Sequence, residues 1–247
     1  MTEKYPPIPA FGVPLGCLIP KELQGLLVAE KSISVTHIVN GCTRLQPVVM
    51  QIGQAAGAAA ALCVQTGLQP GELAIRKVQS QLLADGVWLM PFCDLSADDP
   101  AFVPMQHMTV GGFITGAGMP SDWENKFYIH PDEPVTEQEL LGIVREVTGN
   151  KNYEPILGCD QKTCSLGKLV ILLWHARQIK TFKDLDGWSG KASEKELIQP
   201  ALNYFSANQF LPEWFDKDSL VLADPANRKT AIYLIDKLFN PFTRNIG

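Results

Sequence analysis

The sequence is short of the features that mark the common binding chemistries. Basic charge is scarce: 21 Lys and Arg stand against 26 Asp and Glu, for a formal net charge of −5. There is no electrostatic footprint for nucleic acid and no basic run interleaved with aromatics, so no nucleic-acid partner is expected. Histidine is limited to His37, His107, His130 and His175, and no two have metal-ligand spacing on one face. The acidic residues Asp94, Asp98, Asp99, Asp132 and Glu133 lack the EF-hand pattern and read as turns and caps, so no metal site is expected. The six cysteines match no zinc or CxxC signature and read mostly as free thiols used as small hydrophobes; Cys159 and Cys164 could form a local bridge. No serine sits on a nucleophile-elbow pattern. The Pro- and Gly-rich start, MTEKYPPIPAFGVPLG, has no apolar core of a secretory signal.

What is present is a globular composition, 46% apolar and 19% charged, long enough for one large or two ordinary domains. Its most distinctive stretch is HIVNGCTRLQPVVMQIGQAAGAAAA, residues 37–61. A polar approach (Asn40, Gly41, Thr43, Arg44) leads to a helix of small residues, with Pro47 suited to the first turn, where its missing N–H matters least. A glycine inside a helix costs about 1 kcal/mol relative to alanine. Gly53 and Gly57 therefore predict close approach by another backbone or a flat ligand, while the plainer reading is tight packing under a sheet. The start of such a helix also carries partial positive charge and outward N–H groups. The apolar run from Pro47 to Val64 is at the short limit for a membrane span, is broken by Gln51 and Gln54, and has no charged flanks, so no transmembrane segment is expected.

Around this helix, Leu26 to Ala29 reads as a short buried strand and Ser32 to His37 as its extension. Leu73 to Ala84 reads as a helix ended by Asp85-Gly86. A boundary falls near Trp88 to Asp94, dividing the chain into 1–87 and 88–247. Beyond it, 130–147, 158–177 and 222–239 each run from an acidic turn through a polar helix start into an amphipathic helix, with Thr136 and Glu139 placed for a capping box. Phe102 to Ile114 and Pro200 to Leu211 read as leading helices. Look-alike segments of this kind predict small units stacked on one core. Trp123, Trp174, Trp188 and Trp214 recur there, as buried anchors or as the lining of a carbohydrate site.

The pieces IPKELQGLLVAEKSISVTH, NGCTRLQP and IGQAAGAAAAL, in that order between Pro20 and Leu83, resemble the C-terminal end of the bacterial FAD-dependent oxidoreductases of the glutathione-reductase-like superfamily. The resemblance implies FAD as cofactor, hydride transfer between a small-molecule substrate and flavin N5, and a strand whose end meets the cofactor at Ala29 and Glu30. It implies a flavin-facing turn from Arg44 to Val49, using Arg44, Leu45, Gln46, Val48 and Val49, and places His37 on the substrate side as the candidate catalytic residue. The family more often has glycine where this chain has Glu30. Its phosphate-binding G-x-G-x-x-G is not matched by Gly111-Gly112 or Gly116-Ala117-Gly118. The expectation is thus a C-terminal portion that supplies one flavin wall, with an N-terminal FAD-binding polypeptide or domain as partner. From Trp88 on, the chain resembles S-layer-homology modules, with Thr136-Glu137-Gln138-Glu139 where that family often has Thr-Arg-Ala-Glu and Arg228 in the third copy. That resemblance implies a cell-envelope or secreted parent, and a docking role toward a protein partner or an envelope glycan. The fold class expected is mainly α with a small β portion.

Overall fold

The computed structural model describes residues 10–121, 124–181, 193–215 and 222–243. It divides into two compact units, residues 10–91 and 92–243.

In residues 10–91, α1 (His37–Thr43), α2 (Gln46–Thr66) and α3 (Ile75–Ala84) follow two 3-10 turns at Leu15–Leu18 and Glu30–Ser32. Thr36 caps α1 by accepting the Val39 N–H at 3.4 Å. Pro47 lies in the first turn of α2, as the sequence predicts, and Gly67 ends the helix in the left-handed conformation at φ 71°. The buried residues of α2 are Val49, Ile52, Ala56 and Ala59, spaced as one helical face. Ile52 and Ala56 pack with Leu18 and Ile33, and Ala59 packs with Leu73, Val78 and Leu82.

Two strand expectations fail here. Leu26 to Ala29 runs without regular structure, and Ser32 to His37 passes from a 3-10 turn into the first residue of α1. A buried strand needs ladder partners at its edges. Among the described residues, Val28 finds only a single cross-chain bond, its N–H donating to the Leu18 carbonyl at 2.8 Å.

The small β portion lies instead in residues 92–243. Strands β1 (Ala117–Ser121) and β2 (Glu124–Tyr128) pair antiparallel, with Ala117 opposite Tyr128 and Met119 opposite Lys126. Pro120 is tolerated because a strand of a two-stranded ribbon has a free edge. Five helices surround it in sequence: α4 (Phe102–Val110), α5 (Glu137–Thr148), α6 (Leu166–Thr181), α7 (Glu194–Ala207) and α8 (Arg228–Phe239). Leu169, Val170, Ile171 and Leu173 of α6 are all buried on successive sides, the pattern of a helix enclosed by its neighbours.

The starts of α5, α6 and α8 are tied into a closed ring. Val135 N–H donates to the Ala226 carbonyl at 2.9 Å, Ala226 N–H to Cys164 at 2.8 Å, and Cys164 N–H to Val135 at 2.8 Å. Two residues further on, Glu137 N–H donates to Lys162 at 3.0 Å, Leu166 N–H to Asp224 at 2.9 Å, and Arg228 N–H to Glu133 at 2.8 Å. Each helix has its own N-cap: Thr136 accepts from Glu139, Ser165 from Lys168 and Asn227 from Thr230. The three loop-to-helix junctions are therefore equivalent in hydrogen bonding as well as in sequence pattern. The expected capping box at Thr136 is only half made, because the Glu139 carboxylate turns to Arg228 at 3.1 Å.

Candidate functional site

The residues expected to face a flavin sit at the mouth of α2. Arg44 closes α1, and Leu45 is the N-cap of α2 with no side-chain acceptor to offer. Pro47 brings no N–H, so the first-turn amides of Gln46 and Val48 are the groups an acceptor would meet. Arg44, Leu45 and Gln46 are exposed, Val48 is half-buried, and Val49 is buried in the core of its unit. Val48 and Ala29 pack against the same cluster of Leu18, Ile33, Ile52 and Ala56, so the structure brings the 26–30 segment to the start of α2.

Glu30 has φ 61°, a left-handed backbone that an L side chain adopts at a cost and glycine adopts freely. The position where the resembling family favours glycine is thus one where the backbone asks for it. His37 is exposed as the first residue of α1, and Arg44 is the residue after its last. Seven residues of helix rise about 10 Å, so the histidine and the turn lie at opposite ends of α1.

Among the described residues, the close approach expected at Gly53 and Gly57 is not made. A Cβ added at either glycine meets nothing within 4 Å. The exposed positions of α2 include Met50, Gly53, Gly57, Ala61 and Val64, which follow helical spacing along one face. The helix has 21 residues without a charge and is long and apolar enough to cross a membrane by length and composition. Its opposite face, however, is core.

The residues at this helix mouth meet the requirements of a flavin in part. The exposed Arg44 and the amides of Gln46 and Val48 suit the pyrimidine edge, where reduced flavin carries negative charge. The resemblance gives the diphosphate no cradle in 10–91, since the G-x-G-x-x-G pattern is missing.

In residues 92–243 the polar groups serve packing. Lys168 Nζ meets Glu137 Oε2 at 2.6 Å, and the same oxygen accepts the Asp160 N–H at 2.7 Å. Arg228 bridges Glu139 and the Ile129 carbonyl at 3.1 and 3.0 Å. His107 Nδ1 lies 3.1 Å from Asp236 Oδ1, and its ring stacks on Phe242 at 4.2 Å. Tyr153 donates its hydroxyl hydrogen to the Leu172 carbonyl at 3.2 Å and lies 3.0 Å from His175 Nδ1. Burial lowers the His175 pKa and pushes the Tyr153 hydroxyl up. Cys159 and Cys164 are free thiols, and burial pushes Cys164 up to about 12. Trp214 is partly exposed, its ring meeting Tyr233 edge-on with Lys229 over its face. Trp123 and Trp188 lie outside the described residues. Among the described residues no group of three or more His, Cys, Asp or Glu could hold a metal. The buried carboxylates Glu137 and Asp236 were missed by sequence reasoning. The signal for Asp236 was a lone acid within the apolar run AIYLIDKLF.

Comparison with known proteins places the resemblance in one part of the chain. Residues 1–82 match the family described as FAD dependent oxidoreductase, about a third of the sequence. No curated protein matches the chain, and no solved structure matches it. The S-layer-homology resemblance of the remainder has no support from these comparisons.

Proposed function

We propose that residues 10–91 form one wall of a flavin site, completed by an FAD-binding polypeptide or domain. The observation that carries this reading is the FAD dependent oxidoreductase match over residues 1–82, coinciding with a helix whose exposed face and first turn have no partner side chain at Gly53, Gly57 or the N-cap. Arg44 and the Gln46 and Val48 amides would hold the pyrimidine edge, Ala29 and Val48 would back it, and Val49 fixes the turn to the core. The flavin, when bound, supplies hydride transfer at N5. His37, at the far end of α1, belongs to the substrate side rather than to the flavin edge. The exposed stripe of α2 is where the completing polypeptide packs, which gives Gly53 and Gly57 the close approach that the described residues leave unmade.

The test is a titration of the full chain with FAD, read by quenching of flavin fluorescence. Weak quenching, further weakened at least about threefold in Arg44→Ala, supports the reading; an exposed charge at a helix mouth contributes in that range. An Arg44→Ala curve that overlays the wild type sinks the wall, and stoichiometric FAD in the purified chain sinks the incomplete pocket.

A second reading concerns residues 92–243: a non-catalytic interaction module, for a protein partner or an envelope glycan. The closed ring joining three equivalent helix starts favours it, because the ring presents the same short sequence pattern three times. Arg228 is committed to Glu139 and the Ile129 carbonyl, which weighs toward a protein partner over a glycan held by that arginine. A glycan array that stays blank with the full chain would leave the protein-docking form of this reading.

A further inference from the structure

We infer that residues 11–39 line an open cleft for a small, uncharged, largely apolar ligand bearing one hydrogen-bond acceptor, separate from the flavin edge. A cleft of about 430 Å³ lies between the Phe11–Pro14 segment, the 3-10 turn at Leu15–Leu18 and the start of α1. Phe11, Val13, Cys17 and Val39 give it apolar walls, and Ser34 and Thr36 bring two hydroxyls. That volume falls in the range of small-molecule sites, roughly 300–1,000 Å³.

The walls are fixed by backbone bonds rather than by the cleft's own contents. Ser34 N–H donates to the Cys17 carbonyl at 2.8 Å, and Cys17 N–H donates to Pro14 at 3.0 Å. Those bonds pin the two sides of the cleft to each other. Val13, Cys17 and Val35 in turn lean on the Leu18, Ile33, Ile52 and Ala56 core, so the apolar floor is continuous with packed structure. Thr36 Oγ1 already accepts from Val39 N–H, which leaves its hydrogen as the group to offer a ligand.

The chemistry of the lining selects the ligand. Among the described residues, no charged side chain lines the cleft. A charged molecule would lose hydration there without a counter-charge. The same argument excludes the FAD diphosphate, which needs amides of a helix start or cations around it. A compact aryl or short-chain carbonyl or alcohol meets the requirement, its hydrocarbon against Val13, Val39 and Phe11 and its oxygen accepting from Thr36 or Ser34. The inference does not rest on the flavin reading. Where both hold, the pocket lies on the side of α1 that starts with His37, and is the place for the substrate's apolar part.

The test uses the full chain and two fluorinated probes followed by 19F NMR: neutral 4-fluoroacetophenone and charged 4-fluorobenzoate. The expected result is saturable broadening of the ketone, with the benzoate binding at least about tenfold more weakly because of uncompensated desolvation. Val39→Trp, which fills the cleft, should abolish ketone binding, and Thr36→Val should weaken it about threefold or more by removing a donor. Alkylation of Cys17 by iodoacetamide, followed on its peptide by mass spectrometry, should slow in the wild type when the ketone saturates. This last measurement decides the matter if Val39→Trp fails to fold. Absence of saturable binding, equal binding of the benzoate, or an unprotected Cys17 each overturns the pocket. Competition by FAD would make it part of the flavin site and overturn its separateness. Failure of these probes leaves the Arg44 titration untouched, so the two readings fall independently.

Discussion

Helices α2 and α8 show how differently the two units use apolar sequence. The 21-residue α2 buries four side chains, Val49, Ile52, Ala56 and Ala59. The 12-residue α8 buries eight, including Thr230 and Asp236. Both are rich in apolar residues, yet α8 is enclosed by α4, α5 and α6 while α2 is covered on one face. Met50 and Val64 remain 75% and 85% exposed. Apolar content alone does not tell a helix enclosed on all sides from one covered on a single face; the number of faces in contact does.

The largest effect that would sharpen this contrast is expected at the buried pair of residues 92–243. Glu137 is nearly enclosed, and Lys168 is its counter-charge at 2.6 Å. Lys168→Ala leaves a buried carboxylate that still accepts from the Asp160 amide but has lost its counter-charge, and should destabilise by about 3 kcal/mol or more. Lys168→Met with Glu137→Gln together should recover much of that loss, since replacing both charges is milder than orphaning one. Urea denaturation followed by circular dichroism measures both. A single substitution that costs no more than the double would show that the pair is solvated, and that this unit is less enclosed than described.

Two glycines come next and should differ in sign. A Cβ at Gly116 would stand 2.5 Å from the Phe127 ring and 2.7 Å from the Tyr128 carbonyl. Gly116→Ala must displace a buried ring and a strand, and should cost about 1–3 kcal/mol. Gly57→Ala, in open space within a helix, should stabilise by about 1 kcal/mol. The same denaturation curves read both. If Gly57→Ala destabilises the isolated chain, the exposed face of α2 is already occupied, by a second copy or otherwise, and the comparison collapses.

These glycines also mark what the sequence could and could not disclose. The position of α2, the role of Pro47 and the helices α3, α4, α5 and α8 were legible because helical periodicity and end signals are local. Leu26 to Ala29 was misread because an apolar run states a wish for burial, not the presence of ladder partners. The β1–β2 ribbon was missed because AGMPS and ENKFY have little alternation and AGMPS carries Gly and Pro. At the candidate site, the place of Arg44 before a helix was legible in the residues, whereas a flavin-facing role for Arg44 and Gln46 came from the family resemblance alone. The cleft around Cys17 was not, since it joins residues 11–17 to 34–39 through a bond between Ser34 and Cys17 that no spacing reveals.

A pH-dependent effect separates the units further. Burial lowers the His175 pKa from its ordinary value of 6.5, so the folded protein favours the neutral ring. The unfolded chain takes up a proton as pH falls through about 6.5 while the folded state resists, and stability falls with it. The contribution is intact above that pH and declines below it, until the folded pKa is also passed. Urea midpoints at pH 7.5 and 5.5 should fall further for the wild type than for His175→Gln, which keeps a partner for Tyr153 without titrating. Equal falls in the two proteins would place the acid sensitivity elsewhere.

The smallest effect belongs to Glu30, and it bears most directly on the candidate flavin wall. At φ 61° the glutamate backbone is strained by about 1 kcal/mol, which glycine would relieve. Glycine also gains conformational freedom in the unfolded chain, which offsets roughly 0.5–1 kcal/mol of that relief. Glu30→Gly should therefore shift stability by no more than a few tenths of a kcal/mol, while removing a carboxylate from the segment that packs beside the mouth of α2. Under the proposed flavin wall, binding should respond more than stability does, because a carboxylate opposes the electron-rich pyrimidine carbonyls that Arg44 and the helix amides would attract. A Glu30→Gly chain that quenches FAD fluorescence no better than the wild type would separate this strained residue from the flavin wall, and leave its backbone conformation as a matter of local packing alone.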